Sequence, residues 1–299
     1  MSLEPQLEIP GSAAAATHSI LRVREHGVHL ADDHIAVEEP LEIRLAGLSL
    51  AVTMRTPGDD EELVAGFLHS ERVITSADDL DVVARYRVAD GDPAAGNVMN
   101  VLLKGNVHVA RERLRRNFVA SSSCGLCGKV TIDAIRADLP AVVSDLVVPA
   151  SRFARLERAM GRAQATFERT GGLHAAGLFD ADGELIVLRE DIGRHNAVDK
   201  VIGHMVLARR LPLDRCLLMV SGRASFEIMQ KALAARIPIV AAVSAPSSLA
   251  VELAAASNMT LVGFVRSGGF NIYAGAARIT HDVPSASDGT PIESTSRRA

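Results

Sequence analysis

The residues best equipped for chemistry in this sequence are two cysteines three positions apart, Cys124 and Cys127. They lie in Ser121-Ser122-Ser123-Cys124-Gly125-Leu126-Cys127-Gly128-Lys129, with glycines on both sides and three serines ahead. A thiol reacts as its thiolate, so it needs access and surroundings that favour negative charge. The Gly/Ser context predicts an exposed, pliable loop. Upstream, Arg111-Glu112-Arg113-Leu114-Arg115-Arg116 brings four guanidinium groups, which either favour that thiolate or form a solvated helix face.

Four chemistries suit such a pair. A zinc site needs four ligands. The remaining cysteine, Cys216, falls in an apolar run that reads as core, and His174 and His195 show no ligand-like spacing, which leaves a dimer sharing four cysteines. A thioredoxin-like dithiol belongs between a strand and a helix near the start of its fold, whereas this pair is mid-chain. A structural pair fits poorly with an exposed glycine-rich loop. A persulfide carrier needs one nucleophilic cysteine on a loop that reaches donor and acceptor, and it fits the context best.

A second set of candidates sits where strands end. Strands are predicted at 216–220, 239–243 and 260–265, alternating with helices at 226–235 and 248–256. The strands are continuously apolar, as in parallel sheets covered on both faces. They end in Ser221-Gly222-Arg223, Ser244-Ala245-Pro246 and Arg266-Ser267-Gly268-Gly269. Ligands gather at the carboxyl ends of such strands, and helix N-termini there attract anions. The pattern predicts a cleft for a phosphorylated ligand, with plain turn formation as the competing explanation. Asp191, Arg194, His195, Asn196, Asp199 and Lys200 crowd one helix start, more polar groups than capping requires. His174 reads as a satisfied, hydrogen-bonded histidine, and Asp191 as a helix cap.

The elements that position these residues divide the chain in two. Residues 19–148 read as a β-rich α+β domain: strands at 20–23, 28–30, 41–45 and 48–52 in an antiparallel sheet, a helix starting at 56–61, and strands near 82–88 and 98–103. Residues 149–281 read as an α/β domain. It opens with one helix from about 149 to 170 ended by Gly171-Gly172, then a hairpin, 174–179 and 184–188, around Asp180-Ala181-Asp182-Gly183, then a helix over 196–209. Residues 1–18 and 282–299 are expected to be disordered tails.

Composition narrows the classes. A net charge of −4 with 3 % aromatic residues argues against nucleic-acid binding. Three cysteines do not make a secreted disulfide framework. No signal peptide is visible, and no apolar run approaches the ~20 residues that span a bilayer. A cytoplasmic protein with reduced thiols is expected.

With these motifs in hand, the sequence resembles the FdhD-type formate dehydrogenase accessory proteins, or sulfur carriers. The resemblance rests on Ser123-Cys124-Gly125-Leu126-Cys127-Gly128, Thr170-Gly171-Gly172-Leu173-His174-Ala175-Ala176, Glu190-Asp191-Ile192-Gly193-Arg194-His195-Asn196-Ala197-Val198-Asp199-Lys200, Ser221-Gly222-Arg223 and Gly263-Phe264-Val265-Arg266, in that order. It implies a sulfurtransferase that accepts sulfur from a cysteine desulfurase as a persulfide on Cys124, with Cys127 assisting. It implies delivery to the molybdenum (or tungsten) bis-pterin guanine dinucleotide cofactor of formate dehydrogenase, held by Phe264, Val265, Arg266, Ser267, Gly268 and Gly269. Arg194, His195, Gly222 and Arg223 are expected to join that site. The resemblance further implies a cytidine-deaminase-like three-layer α/β/α fold for the second domain, a homodimer, and no tightly bound metal of the protein's own. Deamination itself is not expected: His174-Ala175-Ala176 lacks the catalytic Glu, and Ser123 stands where deaminases have Pro. The alternative is a chaperone that holds the cofactor without covalent sulfur chemistry.

Overall fold

The computed structural model describes residues 14–86, 96–105, 139–266 and 268–280. Cys124, Cys127, the 111–116 arginine stretch, Ser267 and most of both expected tails lie outside them.

The chain opens with a two-stranded hairpin, β1 (Ala15–Arg24) and β2 (Gly27–Ala36), which forms a sheet of its own. β1 reaches back into residues expected as tail, because Ala15 pairs with Ala36. A second sheet holds β3 (Glu39–Leu45), β4 (Leu48–Arg55), β5 (Leu80–Arg85) and β6 (Val98–Leu103) in the order β4-β3-β6-β5. The expected four-stranded antiparallel sheet is therefore corrected. The slot beside β3 is taken by β6, running parallel to it, rather than by the first hairpin. Between β4 and β5 lies α1 (Asp60–Ser70).

The second half is built on a six-stranded sheet. Its strands are β8 (His174–Phe179), β9 (Leu185–Asp191), β10 (Leu217–Val220), β11 (Ile239–Ala242), β12 (Thr260–Arg266) and β13 (Gly269–Ala274). Their order is β13-β12-β11-β10-β8-β9. β10, β11 and β12 are parallel, while β8 and β13 run against them. A short pair, β7 (Val148–Pro149) with β14 (Ile279–Thr280), ties the two ends of this half together.

Helices cover both faces of the sheet. α2 (Arg152–Ala163) buries Phe153, Leu156 and Met160, which share a cluster with Leu217, Met219, Ile239 and Ala241. The next residues along the same strands, Leu218, Val220, Val240 and Ala242, face the other cluster, with α4 (Arg194–Leu207), α5 (Phe226–Ala234) and α6 (Ser248–Ala256). That alternation follows from the two-residue period of a strand and explains why these strands carry apolar side chains throughout. The second cluster also takes in Leu41, Ile43, Leu63, Val64, Leu68, Met99 and Val101, so it draws on both halves of the chain.

Where the sequence predicts one helix over 149–170, the structure has two, broken at Gln164 (φ −85°, ψ 62°). The second, α3 (Ala165–Thr170), is capped from a distance: Glu190 of β9 accepts the backbone N–H groups of Thr166 at 2.9 Å and Phe167 at 2.7 Å. A carboxylate twenty-odd residues away thus satisfies a fresh helix start. α3 still ends at Gly171, which adopts the left-handed conformation (φ 66°). The β8–β9 hairpin forms as expected, with Asp180 Oδ1 accepting the N–H groups of Asp182 and Glu184, both at 2.9 Å.

At α1, the acidic first turn sends one of its carboxylates into a buried ion cluster. Asp59 caps with no side-chain bond, and Asp60 is buried against Arg55, whose Nε lies 2.9 Å from Oδ1. Arg85 Nη2 completes the cluster, 2.8 Å from Asp60 Oδ2.

Candidate functional site

Three helices and three strand ends converge on one rim. β9 runs antiparallel to β8, which runs antiparallel to β10, so β9 ends on the same side as β10. The starts of α4, α5 and α6 therefore lie along the carboxyl ends of β9, β10 and β11. Backbone contacts link the turns between them. Val243 N donates to Val220 O, Ser247 N to Ala224 O, and Phe264 N to Ser244 O at 3.2 Å. Ala224 and Pro246 form a bridge.

Two glycines make the rim tight. A Cβ on Gly222 would meet His174 Nδ1 at 3.4 Å and Arg194 Cδ at 3.9 Å, so the Ser221–Gly222 turn lies against both residues. A Cβ on Gly263 would lie 2.9 Å from the Tyr273 ring and 3.1 Å from Pro246, which leaves room only for glycine. The next residue, Phe264, takes the left-handed conformation at φ 55°, and the β12–β13 register slips between Gly263 and Arg266. Strain of that kind at a bulky residue collects at ligand sites. Here it sets the half-buried Phe264 ring beneath the Arg266 guanidinium, 5.6 Å from the ring centroid.

The rim is electropositive and rich in donors. Arg223 and Arg266 are exposed, and Arg194 and His195 are half-buried. Ser247 caps α6 through Ala250 N, but Gly193 and Ser225 give α4 and α5 no side-chain cap. Ser225 Oγ lies instead 3.1 Å from His195 Nε2, and Glu227 Oε2 lies 2.8 Å from the same nitrogen. The bond from His195 holds the Glu227 carboxyl below the usual carboxylate range, helped by Lys231 and Arg194. Burial, then the neighbouring Arg194 and His195, push His174 below the usual imidazole value. Uncapped helix starts beside arginines are suited to anions.

Behind the rim lies a buried polar frame. Asp191 is fully buried, with Lys200 Nζ 2.8 Å from Oδ2 and the N–H groups of Thr56 and Gly193 donating to it at 3.2 and 2.8 Å. Asn196 Nδ2 donates to Asp191 Oδ1 at 2.9 Å and to Met54 O at 2.8 Å, and Lys200 Nζ donates to Thr56 O at 3.0 Å. Asp191 is thus not the cap expected for α4, whose N-cap is Gly193 without a side-chain bond: with Lys200 and Asn196 it fastens the start of α4 to the chain segment 54–56. Lys200→Met is expected to cost about 3–5 kcal/mol, because it leaves a carboxylate buried without its cation. Urea unfolding checks this.

Of the expected site residues, the structure brings Arg194, His195, Gly222, Arg223, Phe264, Val265, Arg266, Gly268 and Gly269 to this rim or its adjoining turn, with Val265 buried as core. Ser225, Glu227, Thr56 and Tyr273 escaped the sequence reading. Glu227 looks there like an ordinary first-turn acid, and Thr56 sits over a hundred residues from its partners. Cys216 is half-buried directly before β10, and burial pushes its thiol up to about 11. At pH 8 roughly one molecule in a thousand carries that thiolate. Iodoacetamide at pH 8 is therefore expected to leave Cys216 unmodified while it labels the Cys124/Cys127 pair, as read by peptide mass spectrometry. Among the described residues, no group of three or more His, Cys, Asp or Glu side chains is arranged to hold a metal, and no helix is long and apolar enough to cross a membrane.

Comparison with known proteins places this arrangement among relatives. The FdhD/NarQ family profile matches residues 36–280. A sulfur carrier protein FdhD from Streptomyces avermitilis is 50 % identical over 264 residues, 87 % of this chain and 94 % of that protein. One from Mycobacterium tuberculosis is 50 % identical over 252 residues, 82 % of this chain and 91 % of that protein. A crystal structure of a chain described as a formate dehydrogenase accessory protein, from Desulfotalea psychrophila, is 26 % identical, with a TM-score of 0.71 and coverage of 90 % of this chain and all of that one. The rim, the frame behind it and the cysteine pair all lie within the matched span, and the chain belongs to the FdhD/NarQ family.

Proposed function

We propose that this protein is a sulfur carrier that serves formate dehydrogenase. It takes sulfur from a cysteine desulfurase as a persulfide on Cys124 and passes it to the molybdenum or tungsten bis-pterin guanine dinucleotide cofactor. In the loading step the Cys124 thiolate attacks the outer sulfur of the donor's persulfide. A new S–S bond forms, the donor's S–S bond breaks, and the donor cysteine leaves as its thiolate, with no net oxidation. Cys127 assists. The work takes place in the cytoplasm, where thiols stay reduced, and the protein acts as a homodimer.

The observation that carries the acceptor side is the rim of α4 and α5 starts with Arg194, His195, Arg223 and the Phe264–Arg266 stack. Phosphates suit the uncapped N–H groups and guanidinium forks, and a flat heterocycle suits the Phe264 ring. Arg223→Ala with Arg266→Ala is expected to weaken binding of guanosine diphosphate, a fragment of that cofactor, by roughly 100-fold or more, since each of the two lost charge-assisted bonds is worth about 1.5–3 kcal/mol, a factor of about ten or more. Calorimetric titration reads this. Unchanged affinity would remove the cofactor from this rim.

A cofactor chaperone remains the second reading, favoured by one observation: the rim is assembled from residues far from the cysteines in sequence. The two readings part at Cys124. A chaperone keeps its activity when that residue is replaced, and a sulfur carrier loses it.

A further inference from the structure

α2 buries Phe153, Leu156 and Met160 and turns Arg155, Arg158 and Arg162 outwards. At spacings of three and four residues these guanidinium groups share one helix face and extend over about 10 Å. With Ala159, Gly183 and Glu184 they line a groove of about 310 Å³ beside the β8–β9 turn. The groove already seats one carboxylate: Arg155 Nη2 donates to Glu184 Oε1 at 2.9 Å. Arg158 and Arg162 form no ion pair among the described residues. In a chain of net charge −4 this is a concentrated patch of the opposite sign.

We propose that this arginine face of α2 docks an acidic segment of the protein that donates sulfur to this chain. The proposal rests on the sulfur-carrier reading. Planar guanidinium forks at helical spacing match a run of carboxylates. No aromatic side chain lines the groove to stack a base, so an acidic peptide fits better than single-stranded nucleic acid. Topology separates donor from acceptor. Phe179 pairs with Leu217 and Ala176 with Val220, so the β8–β9 turn lies at the amino end of β10, and the anion rim at its carboxyl end. A protein seated in the groove leaves the rim open. A donor seated there does not compete with the cofactor, whereas an enzyme that collects the cofactor has to face the rim.

The test measures binding of the full-length protein to purified, immobilised cysteine desulfurase at several salt concentrations. R158E/R162E is expected to weaken binding by roughly tenfold or more and to flatten its salt dependence, with R158K/R162K, which keeps the charge but not the fork, losing less. Sulfur loading from limiting desulfurase falls in parallel and recovers at excess desulfurase. Loading from inorganic polysulfide is unchanged, which shows that the variant is folded and its cysteine competent. Unchanged affinity of R158E/R162E for the desulfurase overturns the proposal. So does a defect confined to binding of formate dehydrogenase, or of a short DNA duplex. A wild-type protein that gains sulfur from neither desulfurase nor polysulfide would instead remove the carrier reading beneath it.

Discussion

Gly203→Ala is expected to lose more than about 3 kcal/mol of stability, a large fraction of the roughly 5–15 kcal/mol that holds an ordinary domain folded. Gly203 of α4 and Gly66 of α1 face each other where the two helices cross. A Cβ on Gly203 would lie 1.7 Å from the backbone oxygen of Glu62, and one on Gly66 1.8 Å from that of Asp199. Both obstacles are backbone, so no side chain can swing aside. Ordinary contact requires the helices to part by roughly 1.5 Å or more. That movement would pull on bonds that span the crossing. Ser70 Oγ of α1 donates to Asp199 Oδ1 of α4 at 2.8 Å, a buried bond. Arg189 and His204 grip Glu62 at 2.6 and 2.9 Å. Gly161→Ala is the control. It sits in α2 with nothing within 4 Å of its added Cβ, and it is expected to gain about 0.5–1 kcal/mol from helix propensity. Urea midpoints of the two variants, compared with wild type, decide the matter.

Cys124→Ala is expected to abolish sulfur acceptance and the activation of formate dehydrogenase, with the thermal midpoint and guanosine diphosphate affinity unchanged. The thiolate is the only group in the proposed loading step that forms the new S–S bond, so no residual route through this residue remains. Cys127→Ala is expected to retain part of the activity, because its assigned role is to assist. Cys216 offers no substitute: its thiol is half-buried and held protonated at neutral pH. A split outcome, with cofactor affinity intact and sulfur transfer lost, separates the two ends of the mechanism: the rim that holds the cofactor and the cysteine that carries the cargo.

Much of this layout is visible in local sequence. The β10-α5-β11-α6-β12 alternation follows from short apolar runs, each followed by Ser/Gly turns and an amphipathic stretch. The β8–β9 hairpin follows from Asp180 and Gly183. The rim follows from the general tendency of parallel sheets to bind at their carboxyl ends, and Arg223 and Arg266 lie where that tendency puts them. What stayed hidden depends on partners distant in sequence. Gln164 interrupts a plausible helix only because Glu190 arrives to cap the next one. β6 beside β3 is a tertiary choice with no local mark. Gly66 and Gly203 read as weak spots in two helices, yet each is the place where the other helix passes. Glu227 reads as a first-turn acid until His195 is seen beside it, and Thr56 reads as the lead into α1 until Asp191 and Lys200 fold onto it.

The most direct test of the central claim is a sulfur-loading experiment. The protein is incubated with an active cysteine desulfurase and L-cysteine, then examined by intact-mass and peptide mass spectrometry beside Cys124→Ala. The account predicts a gain of one sulfur on Cys124, removed by reductant and missing in the variant. An unmodified Cys124 and Cys127, with the desulfurase shown to be turning over, would contradict it and leave the chain as a cofactor chaperone.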